Sequence, residues 1–279
     1  MIRKYFEFVR FSHTVFALPF ALAAMFVAGW PGWRFFGLIL AAMVCARTAA
    51  MGFNRIVDRK FDAANPRTKN RHLPAGQITV ASAYVLTSLS ALGLIVVSWF
   101  INPICFYLSP VALVVVCGYS LTKRFTDYTH VFLGIALGLA PVGAWLAVRG
   151  RFDWEPVVLA GAVVLWLVGF DIIYATQDVE FDRQVGLRSL PAKLGIPAAL
   201  RVAQVAHALM AVSLGGFGLI SGLGLPYYAG LTVIAVCLIV QHRLARKQDP
   251  VSLNVAFFRM NAVISVVFLA AVVADIFWR

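Results

Sequence analysis

Residues 156–177 read PVVLAGAVVLWLVGFDIIYATQ, and Asp171 is the one charged side chain in this stretch. A helix of about 20 apolar residues spans the hydrocarbon core of a bilayer, whereas a membrane-barrel strand has about 10 residues that alternate between apolar and polar. The stretch is too long and too continuously apolar for such a strand. It therefore predicts a transmembrane helix and an all-α integral membrane protein.

The rest of the chain repeats this pattern. Hydrophobic residues make up 61% of the 279 residues and charged residues only 13%, a composition that a water-soluble domain cannot bury. Apolar stretches of about 20 residues predict roughly nine spans in a single bundle that covers residues 1–279. The spans lie at 12–30, 35–57, 78–100, 103–122, 129–148, 156–177, 197–221, 225–242 and 253–277.

Lys and Arg residues concentrate on one side of the predicted bundle. By the positive-inside rule that side is the cytoplasm, and we expect a multi-pass protein of a bacterial inner membrane. The basic start of the chain looks like a cleaved signal, but His13 and Pro19 interrupt the apolar stretch and many spans follow. We therefore expect the first helix to be retained. The basic segments are the N-terminus, the 58–77 loop, Lys123 with Arg124, and the 183–196 and 243–252 loops.

Charge and cysteine content exclude several classes of partner. The formal net charge of +12 follows from this topology and from attraction to anionic lipid, so we expect no nucleic acid. The four cysteines lie in predicted spans without a C-x-x-C pair, which predicts neither a zinc site nor a disulfide framework. Membrane lipid is the expected environment, and no obligate protein partner is predicted.

Two related acidic motifs interrupt the apolar background. The first is NRIVDRKFD at residues 54–62, and the second is YATQDVEFD at residues 174–182. Each places two carboxylates four residues apart, on one face of a helix. Similar basic tails follow, RHLPAG at 71–76 and RSLPAK at 188–193.

The repeated motif predicts two four-helix halves, at about 12–122 and 129–242, with the last span added. Equivalent helices would then present equivalent acids, and we expect both motifs on the same side of the membrane. They would face a central cavity.

The motif carboxylates are candidate metal ligands. One aspartate at a helix end is usually a solvated surface residue, but four at matched spacing beside basic tails are not. Mg²⁺ usually takes one or two carboxylates, and water and phosphate oxygens complete its shell. The sequence therefore predicts Mg²⁺ beside a phosphorylated ligand. The candidate ligands are Asn54, Asp58, Asp62, Asp178 and Asp182.

Charged residues also occur inside predicted spans. Asp171 precedes Asp178 by seven residues, and Arg47 precedes Asn54 by seven, so each lies near a motif face. A charge in the membrane is expensive and is a functional candidate by default. We expect Arg47 to meet an internal carboxylate or an anionic substrate. The cations expected to grip phosphate are Arg71, Lys123 and Arg124, with Arg188 and Lys193 as further candidates.

These residues resemble the UbiA superfamily of intramembrane aromatic prenyltransferases over nearly the whole chain. The signature N-x-x-x-D-x-x-x-D with R-T-x-x-R is matched by Asn54, Asp58, Asp62, Arg67, Thr68 and Arg71. The signature D-x-x-Y-A-x-x-D-x-x-x-D-x-x-x-G-x-x-S is matched by Asp171, Tyr174, Ala175, Asp178, Asp182, Gly186 and Ser189. Y-x-x-x-K-R between them is matched by Tyr119, Lys123 and Arg124. One departure is His72, where many members have Pro.

The chain is most similar to 4-hydroxybenzoate polyprenyltransferases, including a bacterial branch associated with menaquinone synthesis. The resemblance implies Mg²⁺-dependent transfer of a polyprenyl group from its diphosphate to the ring carbon ortho to the hydroxyl of 4-hydroxybenzoate, in ubiquinone or menaquinone-type synthesis. It implies nine helices around a cavity open to lipid, and two Mg²⁺ ions bridging the motif aspartates to the diphosphate.

Further roles follow from the same resemblance. Arg71, Lys123 and Arg124 would stabilise the departing charge, with Ser189 as a further substrate-binding residue. Arg47 or Arg10 would bind the acceptor's carboxylate, and Tyr119, Tyr174 and the catalytic Asp171 would line the cation's path or orient the phenol. The 67–77 and 186–195 loops are candidate lids that exclude water.

Two alternatives stay open. The signatures handle the diphosphate, so the acceptor is open to dihydroxynaphthoate, homogentisate, haem or a glycerol phosphate. A secondary transporter also has internal repeats and intramembrane charge, but its site usually lies near the midplane at broken helices. The two acidic motifs instead lie at predicted helix ends beside basic loops, which favours the enzyme.

Overall fold

The computed structural model describes residues 2–10 and 13–278, and every regular element in these ranges is helical. Eight helical segments are long and apolar enough to cross a membrane, which confirms the predicted all-α integral membrane fold. These segments are Gly32–Ala64, Val80–Ile101, Pro103–Arg124, Thr129–Arg149, Trp154–Val185, Ile196–Ile220, Leu225–Ala245 and Pro250–Trp278.

The helices follow one another with short connections. In chain order they are α1 (Ile2–Phe8), α2 (Thr14–Ala28), α3 (Gly32–Ala64), α4 (Val80–Ile101), α5 (Pro103–Gly118), α6 (Thr129–Arg149), α7 (Trp154–Ala175), α8 (Val179–Val185), α9 (Leu190–Leu194), α10 (Ile196–Ile220), α11 (Leu225–Ala245), α12 (Pro250–Asn254) and α13 (Met260–Trp278). Tighter 3₁₀ turns occupy Tyr119–Arg124 and Thr176–Asp178, and a wider π turn occupies Val255–Arg259.

The helix in the region of the predicted first span, 12–30, is shorter than that prediction. The helix that forms there, α2, has 15 residues and is therefore about 22 Å long, whereas the hydrocarbon core is about 30 Å thick. It ends because Gly29 adopts a φ of +120°, which leaves the helical region. The count of nine spans was therefore approximate, and among the described residues eight helices qualify by length and apolar composition.

The chain divides into two compact units, each with its own packing. The first comprises residues 1–14 and 31–122, and the second comprises residues 15–30 and 123–279. Helix α2 therefore groups with the second unit, not with the first predicted repeat. The repeat itself stays a prediction.

The first unit is built around the pairing of α3 with α4. Gly52 on α3 faces Thr87 on α4 so closely that a Cβ at position 52 would meet the threonine side chain. Gly93 likewise faces Cys45. Small residues let two helices approach closely in lipid, where no hydrophobic force drives helices together. This contact fixes the helix that carries the first acidic motif.

The second unit has an aromatic core around α7. Trp166 on α7 contacts Phe16 and Phe20 on α2, and Phe20 also stacks on Phe268 of α13 with 4.7 Å between ring centroids. Large rings of this kind bury much surface and hold helices at fixed angles. Helix α7 also packs along α6 and α10, so it is covered on several sides.

Polar side chains form hydrogen bonds to backbone carbonyls at the π turn that precedes α13. The side-chain amide of Gln241 donates to the carbonyl of Ala256 at 2.9 Å, and that of Asn261 donates to the carbonyl of Phe257 at 2.6 Å. Trp166 donates its indole N–H to Asn261 at 2.9 Å. Backbone groups freed from regular helix need such partners in lipid, so this network permits the irregular turn.

Candidate active site

The first acidic motif lies on α3 and forms one polar stripe. Helix α3 continues to Ala64, beyond the predicted end at residue 57, so Asn54, Asp58 and Asp62 are all helical. Asn54 donates through its side-chain amide to Asp58 at 3.1 Å and to Ser120 at 3.3 Å. Asp58 is only 3% exposed. It is therefore a buried carboxylate and not a solvated helix end.

Asp62 meets the basic tail of its own motif. Arg71 Nη1 donates to Asp62 Oδ1 at 2.7 Å, and Arg55 Nη1 lies 3.8 Å from Oδ2. Thr68 donates its hydroxyl to the Asp62 carbonyl at 3.0 Å, which turns the chain back over the helix end. Asp62 is 6% exposed and Arg55 is 7% exposed. The motif therefore holds buried charges of both signs.

The predicted lid at 67–77 is a tightly bonded loop. Asn65 ends α3 in an extended conformation because the residue before a proline, here Pro66, avoids the helical region. Its side chain then accepts the backbone N–H of Arg67 at 2.8 Å. The carbonyl of His72 accepts from Gln77 at 2.8 Å and from Ile78 at 3.2 Å. These bonds give Arg71 a fixed position.

The second motif has a different backbone, which corrects the prediction of one helical stripe. Helix α7 ends at Ala175, residues Thr176–Asp178 form a 3₁₀ turn, and α8 begins at Val179. The Thr176 hydroxyl donates to the Ile173 carbonyl at 2.8 Å, a bond that often bends a helix. Asp178 and Asp182 therefore do not share one regular α-helical face.

Asp182 is held by the segment that follows it. Ser189 donates its hydroxyl to Asp182 Oδ2 at 3.1 Å and also accepts the backbone N–H of Ala192 as the N-cap of α9. Gly186 ends α8 with a φ of +72°, a conformation that favours glycine. The signature residues Gly186 and Ser189 thus fix the turn and one carboxylate oxygen.

Two basic residues of the second tail bind protein groups. Arg188 Nη1 donates to the Phe125 carbonyl at 2.8 Å, and its backbone N–H donates to the Lys123 carbonyl at 2.9 Å. Lys193 Nζ lies 2.9 Å from Asp127 Oδ2, and this hydrogen bond raises the pKa of Lys193. Both side chains anchor the segment after Lys123, unlike Arg71, which contacts a motif carboxylate.

Asp171 has a partner that the sequence did not reveal. His130 Nδ1 lies 2.6 Å from Asp171 Oδ2, and both residues belong to the second unit. The His130 side chain is 2% exposed and that of Asp171 is 21% exposed. The only sequence signal was a polar residue at the start of an apolar span.

The predicted carboxylate partners, Arg47 and Arg10, contact each other. Arg47 Nη2 donates to the Arg10 carbonyl at 2.9 Å, and Arg10 adopts a positive φ of 50°. Burial lowers the pKa of His13 to about 3, and the positive charges of Arg10, Arg47 and Arg55 act in the same direction. Three positive charges, those of Arg10, Arg47 and Arg55, therefore act on His13 in this part of the first unit.

A cavity of about 880 Å³ opens beside these arginines. Its polar lining is mostly cationic, and two phenylalanines supply apolar surface. Such a lining suits an anionic ligand with an organic body. The lining residues are Arg3, Phe6, Glu7, Phe8, Arg10, Arg55, Arg67, Thr68, Asn70, Arg71 and His72.

The predicted tyrosines and cations lie in two segments, the turn after α5 and the end of α7. Tyr119 begins the 3₁₀ turn that follows α5, and Lys123 and Arg124 end it. Tyr174 packs on Phe257 with 4.1 Å between ring centroids. Among the residues that the structure describes, no three His, Cys, Asp or Glu side chains form a complete metal site.

Comparison with known proteins identifies the family. The sequence profile described as the UbiA prenyltransferase family matches residues 17–263. The chain belongs to this family. It is therefore an integral membrane polyprenyltransferase.

Two relatives of known name match most of the chain. A 4-hydroxybenzoate octaprenyltransferase of Methylobacillus flagellatus is 30% identical, over 89% of this chain and 84% of that protein. The protein of the same name from Cupriavidus metallidurans is 31% identical, over 91% of this chain and 86% of that protein.

Solved structures agree on the fold. A UbiA homolog from Aeropyrum pernix K1 in its apo form superposes with a TM-score of 0.87 at 29% identity, covering 95% of this chain and 98% of that chain. A UbiA homolog from Archaeoglobus fulgidus bound to GPP and Mg²⁺ gives a TM-score of 0.74 at 23% identity, covering 98% and 99%. At 23% identity, the similarity to the Archaeoglobus fulgidus structure supports the fold alone.

Proposed function

We propose that this enzyme transfers a polyprenyl group from a polyprenyl diphosphate to the ring carbon ortho to the hydroxyl of 4-hydroxybenzoate. The product would enter ubiquinone or menaquinone-type quinone synthesis. The observation that carries the proposal is the burial of Asp58 and Asp62, with Arg55 and Arg71 beside Asp62. Buried charges of both signs suit a complex of a cation with a polyanion. The names of the Methylobacillus flagellatus and Cupriavidus metallidurans relatives support the acceptor.

Mg²⁺ is the proposed cofactor, as two ions. The available donors are oxygens, which suit this hard cation. Asp62 Oδ2 is buried and accepts no hydrogen bond within the described residues, and Asn54 uses its N–H groups as donors, which leaves its carbonyl oxygen for a cation. When bound, Mg²⁺ neutralises charge that develops on the departing diphosphate. The proposed ligands are Asn54, Asp58, Asp62, Asp178 and Asp182.

Cationic side chains complete the proposed diphosphate site. Arg71, Lys123 and Arg124 would bind oxygens of the leaving group and stabilise its charge as the allylic C–O bond breaks. Arg71 is already placed beside Asp62, so a diphosphate oxygen would replace or share that contact. Ser189 keeps Asp182 oriented through its hydroxyl.

The acceptor needs a carboxylate partner and a group near its hydroxyl. Arg10 and Arg47 are the proposed carboxylate partners, because they contact each other and Arg10 lines the largely cationic cavity. Tyr119, Tyr174 and Asp171 are the proposed residues that line the path of the allylic cation or orient the phenol. The 67–77 and 186–195 segments would exclude water, which otherwise converts the cation to an alcohol.

The proposed location is the cytoplasmic membrane of a bacterium, with the active site on the cytoplasmic side. The excess of Lys and Arg in loops on one side of the bundle supports this orientation. The diphosphate and the aromatic acid are water-soluble at their charged ends, so a site at that surface receives both. The prenyl tail would remain in lipid.

One assay tests the reaction class and the acceptor together. Membranes that contain the protein are incubated with Mg²⁺, geranyl diphosphate and 4-hydroxybenzoate, and prenylated acid is followed by mass spectrometry with an EDTA control. We expect 3-geranyl-4-hydroxybenzoate that disappears with EDTA. Dihydroxynaphthoate, homogentisate, haem and a glycerol phosphate are tested in parallel, because the diphosphate motifs do not select the acceptor.

A different pattern of products would redirect the proposal. Product from another acceptor alone would keep prenyl transfer and replace 4-hydroxybenzoate. Failure of every acceptor, with longer donors as well, would contradict the proposed substrates. Uptake of a labelled anion without covalent change would instead favour a transporter.

A further inference from the structure

His130 and Asp171 form a pair outside the proposed metal ligands. His130 lies in the first turn of α6 and Asp171 lies in the last two turns of α7. His130 Nδ1 and Asp171 Oδ2 are 2.6 Å apart, a short distance for a hydrogen bond between nitrogen and oxygen. A carboxylate can only accept this bond, so Nδ1 carries the proton.

The packing of α6 on α7 sets this distance. A Cβ at Gly134 would lie 3.0 Å from the Val164 carbonyl oxygen, and one at Gly138 would lie 3.2 Å from that of Ala160. The two glycines therefore allow the helix backbones to approach closely. His130 lies one turn before Gly134 on the same face, which brings its ring to Asp171.

The exposure of the pair is asymmetric. The His130 side chain is 2% exposed, and its Nε2 is buried without a hydrogen-bond partner among the described residues. The Asp171 side chain is 21% exposed, and within the same residues Oδ1 has no partner. A pair that served only to neutralise a buried carboxylate would cover the carboxylate. Here the histidine is covered and the carboxylate keeps one oxygen open.

We propose that Asp171 is the base that receives the proton of the acceptor's hydroxyl, and that His130 is the residue that positions it. This inference rests on the proposed function. The Nδ1–H bond to Oδ2 fixes the rotation of the carboxylate, so Oδ1 is presented in one direction. An oriented base of this kind typically contributes about 10²–10⁴-fold to a rate.

Asp171 Oδ1 takes the phenolic proton while the ortho carbon forms a bond to the allylic carbon, and the electron pair of the breaking C–O bond leaves with the diphosphate. The ring then loses its proton to the diphosphate. The ring oxygen recovers the proton from Asp171, which regenerates the carboxylate. The net products are the prenylated phenol and protonated diphosphate.

Three substitutions of His130 separate the roles of its nitrogens. The side-chain amide of asparagine places an N–H near the position of Nδ1, whereas that of glutamine reaches the position of Nε2. Leucine supplies neither. We expect His130→Asn to keep activity within about tenfold of the wild type and His130→Leu to lose about 100-fold or more in kcat. His130→Gln should resemble His130→Leu.

The assay measures two products in the same reaction, prenylated acid and released diphosphate. We expect His130→Leu and Asp171→Asn to release diphosphate with the prenyl alcohol, at an unchanged KM for the donor, while the ratio of prenylated acid to diphosphate falls. The control is Glu180→Gln, a change at an exposed carboxylate of the second unit that the proposed step does not use. It should keep the wild-type ratio.

Each outcome decides between the two proposals. Wild-type protein that forms no prenylated acid overturns the proposed function, and the inference with it. A wild type that forms product while His130→Leu keeps the normal ratio overturns the inference alone. If His130→Leu does not insert into the membrane, the positioning role is tested by comparing His130→Asn with His130→Gln. Equal activity of these two variants overturns that role.

Discussion

Arg71 Nη1 lies 2.7 Å from Asp62 Oδ1, so the basic tail of the first motif contacts a motif carboxylate. Arg55 approaches the other oxygen of the same carboxylate to 3.8 Å. Asp62 is therefore compensated by cations before any ligand binds. A complex of Mg²⁺ with diphosphate would bring a cation to Asp62 and an anion to Arg71. The single ion pair between Arg71 and Asp62 would then be replaced by two, one between Asp62 and Mg²⁺ and one between Arg71 and the diphosphate.

Substitution of Arg71 tests this exchange. We expect Arg71→Ala to raise the KM for the donor about 10–100-fold, because a hydrogen-bonded charge partner is worth about 2–5 kcal/mol and Arg55 replaces part of it. The KM of Arg71→Lys for the donor should lie between those of the wild type and Arg71→Ala, since lysine keeps the charge but lacks the planar guanidinium. Arg59→Ala is the control, because Arg59 is exposed on the same helix. Initial rates over a range of geranyl diphosphate give the KM, and an unchanged value in Arg71→Ala would contradict the assignment.

The motif carboxylates should be required for breaking the donor's C–O bond. We expect Asp58→Asn and Asp178→Asn to lower both diphosphate release and prenyl transfer by about 10²–10³-fold or more, since an electrostatic stabiliser of the departing charge is lost. Both products are measured together. Glu180→Gln is the matched control, because Glu180 is an exposed carboxylate inside the second motif. Normal diphosphate release in both aspartate variants would remove these residues from the metal site.

Removal of the metal should affect activity without unfolding the protein. We expect EDTA to abolish transfer and added Mg²⁺ to restore it. The thermal midpoint in detergent should change little on EDTA treatment, because Arg55 and Arg71 already compensate Asp62 in the absence of an ion. A large drop in the midpoint with EDTA would instead indicate that the ion is a structural element of the fold.

Acidification should destabilise the first unit through His13. Burial lowers the pKa of His13 to about 3, whereas an unfolded histidine has a pKa of about 6.5. The unfolded chain therefore binds a proton that the folded chain does not, so stability is lost as the pH falls below about 6.5. Between pH 7.5 and pH 5, we expect the thermal midpoint of His13→Gln to fall by less than the thermal midpoint of the wild type. Equal losses in both proteins would exclude His13 as the cause.

The sequence predicted the features that lipid dictates. Apolar length fixed the helical class and most spans, because a bilayer permits few alternatives for satisfying the backbone. It also predicted that Asn54, Asp58 and Asp62 share a helix face, since a regular α-helix runs through all three. The length of α2 was misjudged because hydropathy does not report where Gly29 leaves the helical region.

Features that depend on helix packing could not be predicted from the sequence. The 3₁₀ turn before Asp178 follows from a bond of the Thr176 hydroxyl, which competes with helix continuation only in that context. His130 is 41 residues from Asp171 in the chain, so their contact depends on how α6 packs on α7. Arg55 was one of many basic residues near the predicted cytoplasmic side, and only its burial distinguishes it.

The close approach of α10 to α7 supplies a test of how Asp171 is held. Gly169 lies two residues before Asp171, and a Cβ at that position would meet the ring of His207. His207 is fixed by contacts with His242 at 2.9 Å and with the Trp166 carbonyl at 3.1 Å, so it has little room to move. We expect Gly169→Ala to lower the free energy of unfolding by about 1–3 kcal/mol, the usual cost of overpacking.

Gly161→Ala is the matched control on the same helix, because a Cβ there meets nothing within 4 Å. This change should be neutral or stabilising by up to about 1 kcal/mol, since alanine favours the helix over glycine. Thermal unfolding of both variants in one detergent gives the comparison, and the ratio of prenylated acid to diphosphate shows whether α7 has shifted. If Gly169→Ala matches Gly161→Ala in both measurements, then the His207 contact does not set the position of α7, and the Asp171 carboxylate must be held by His130 and the α6 packing alone.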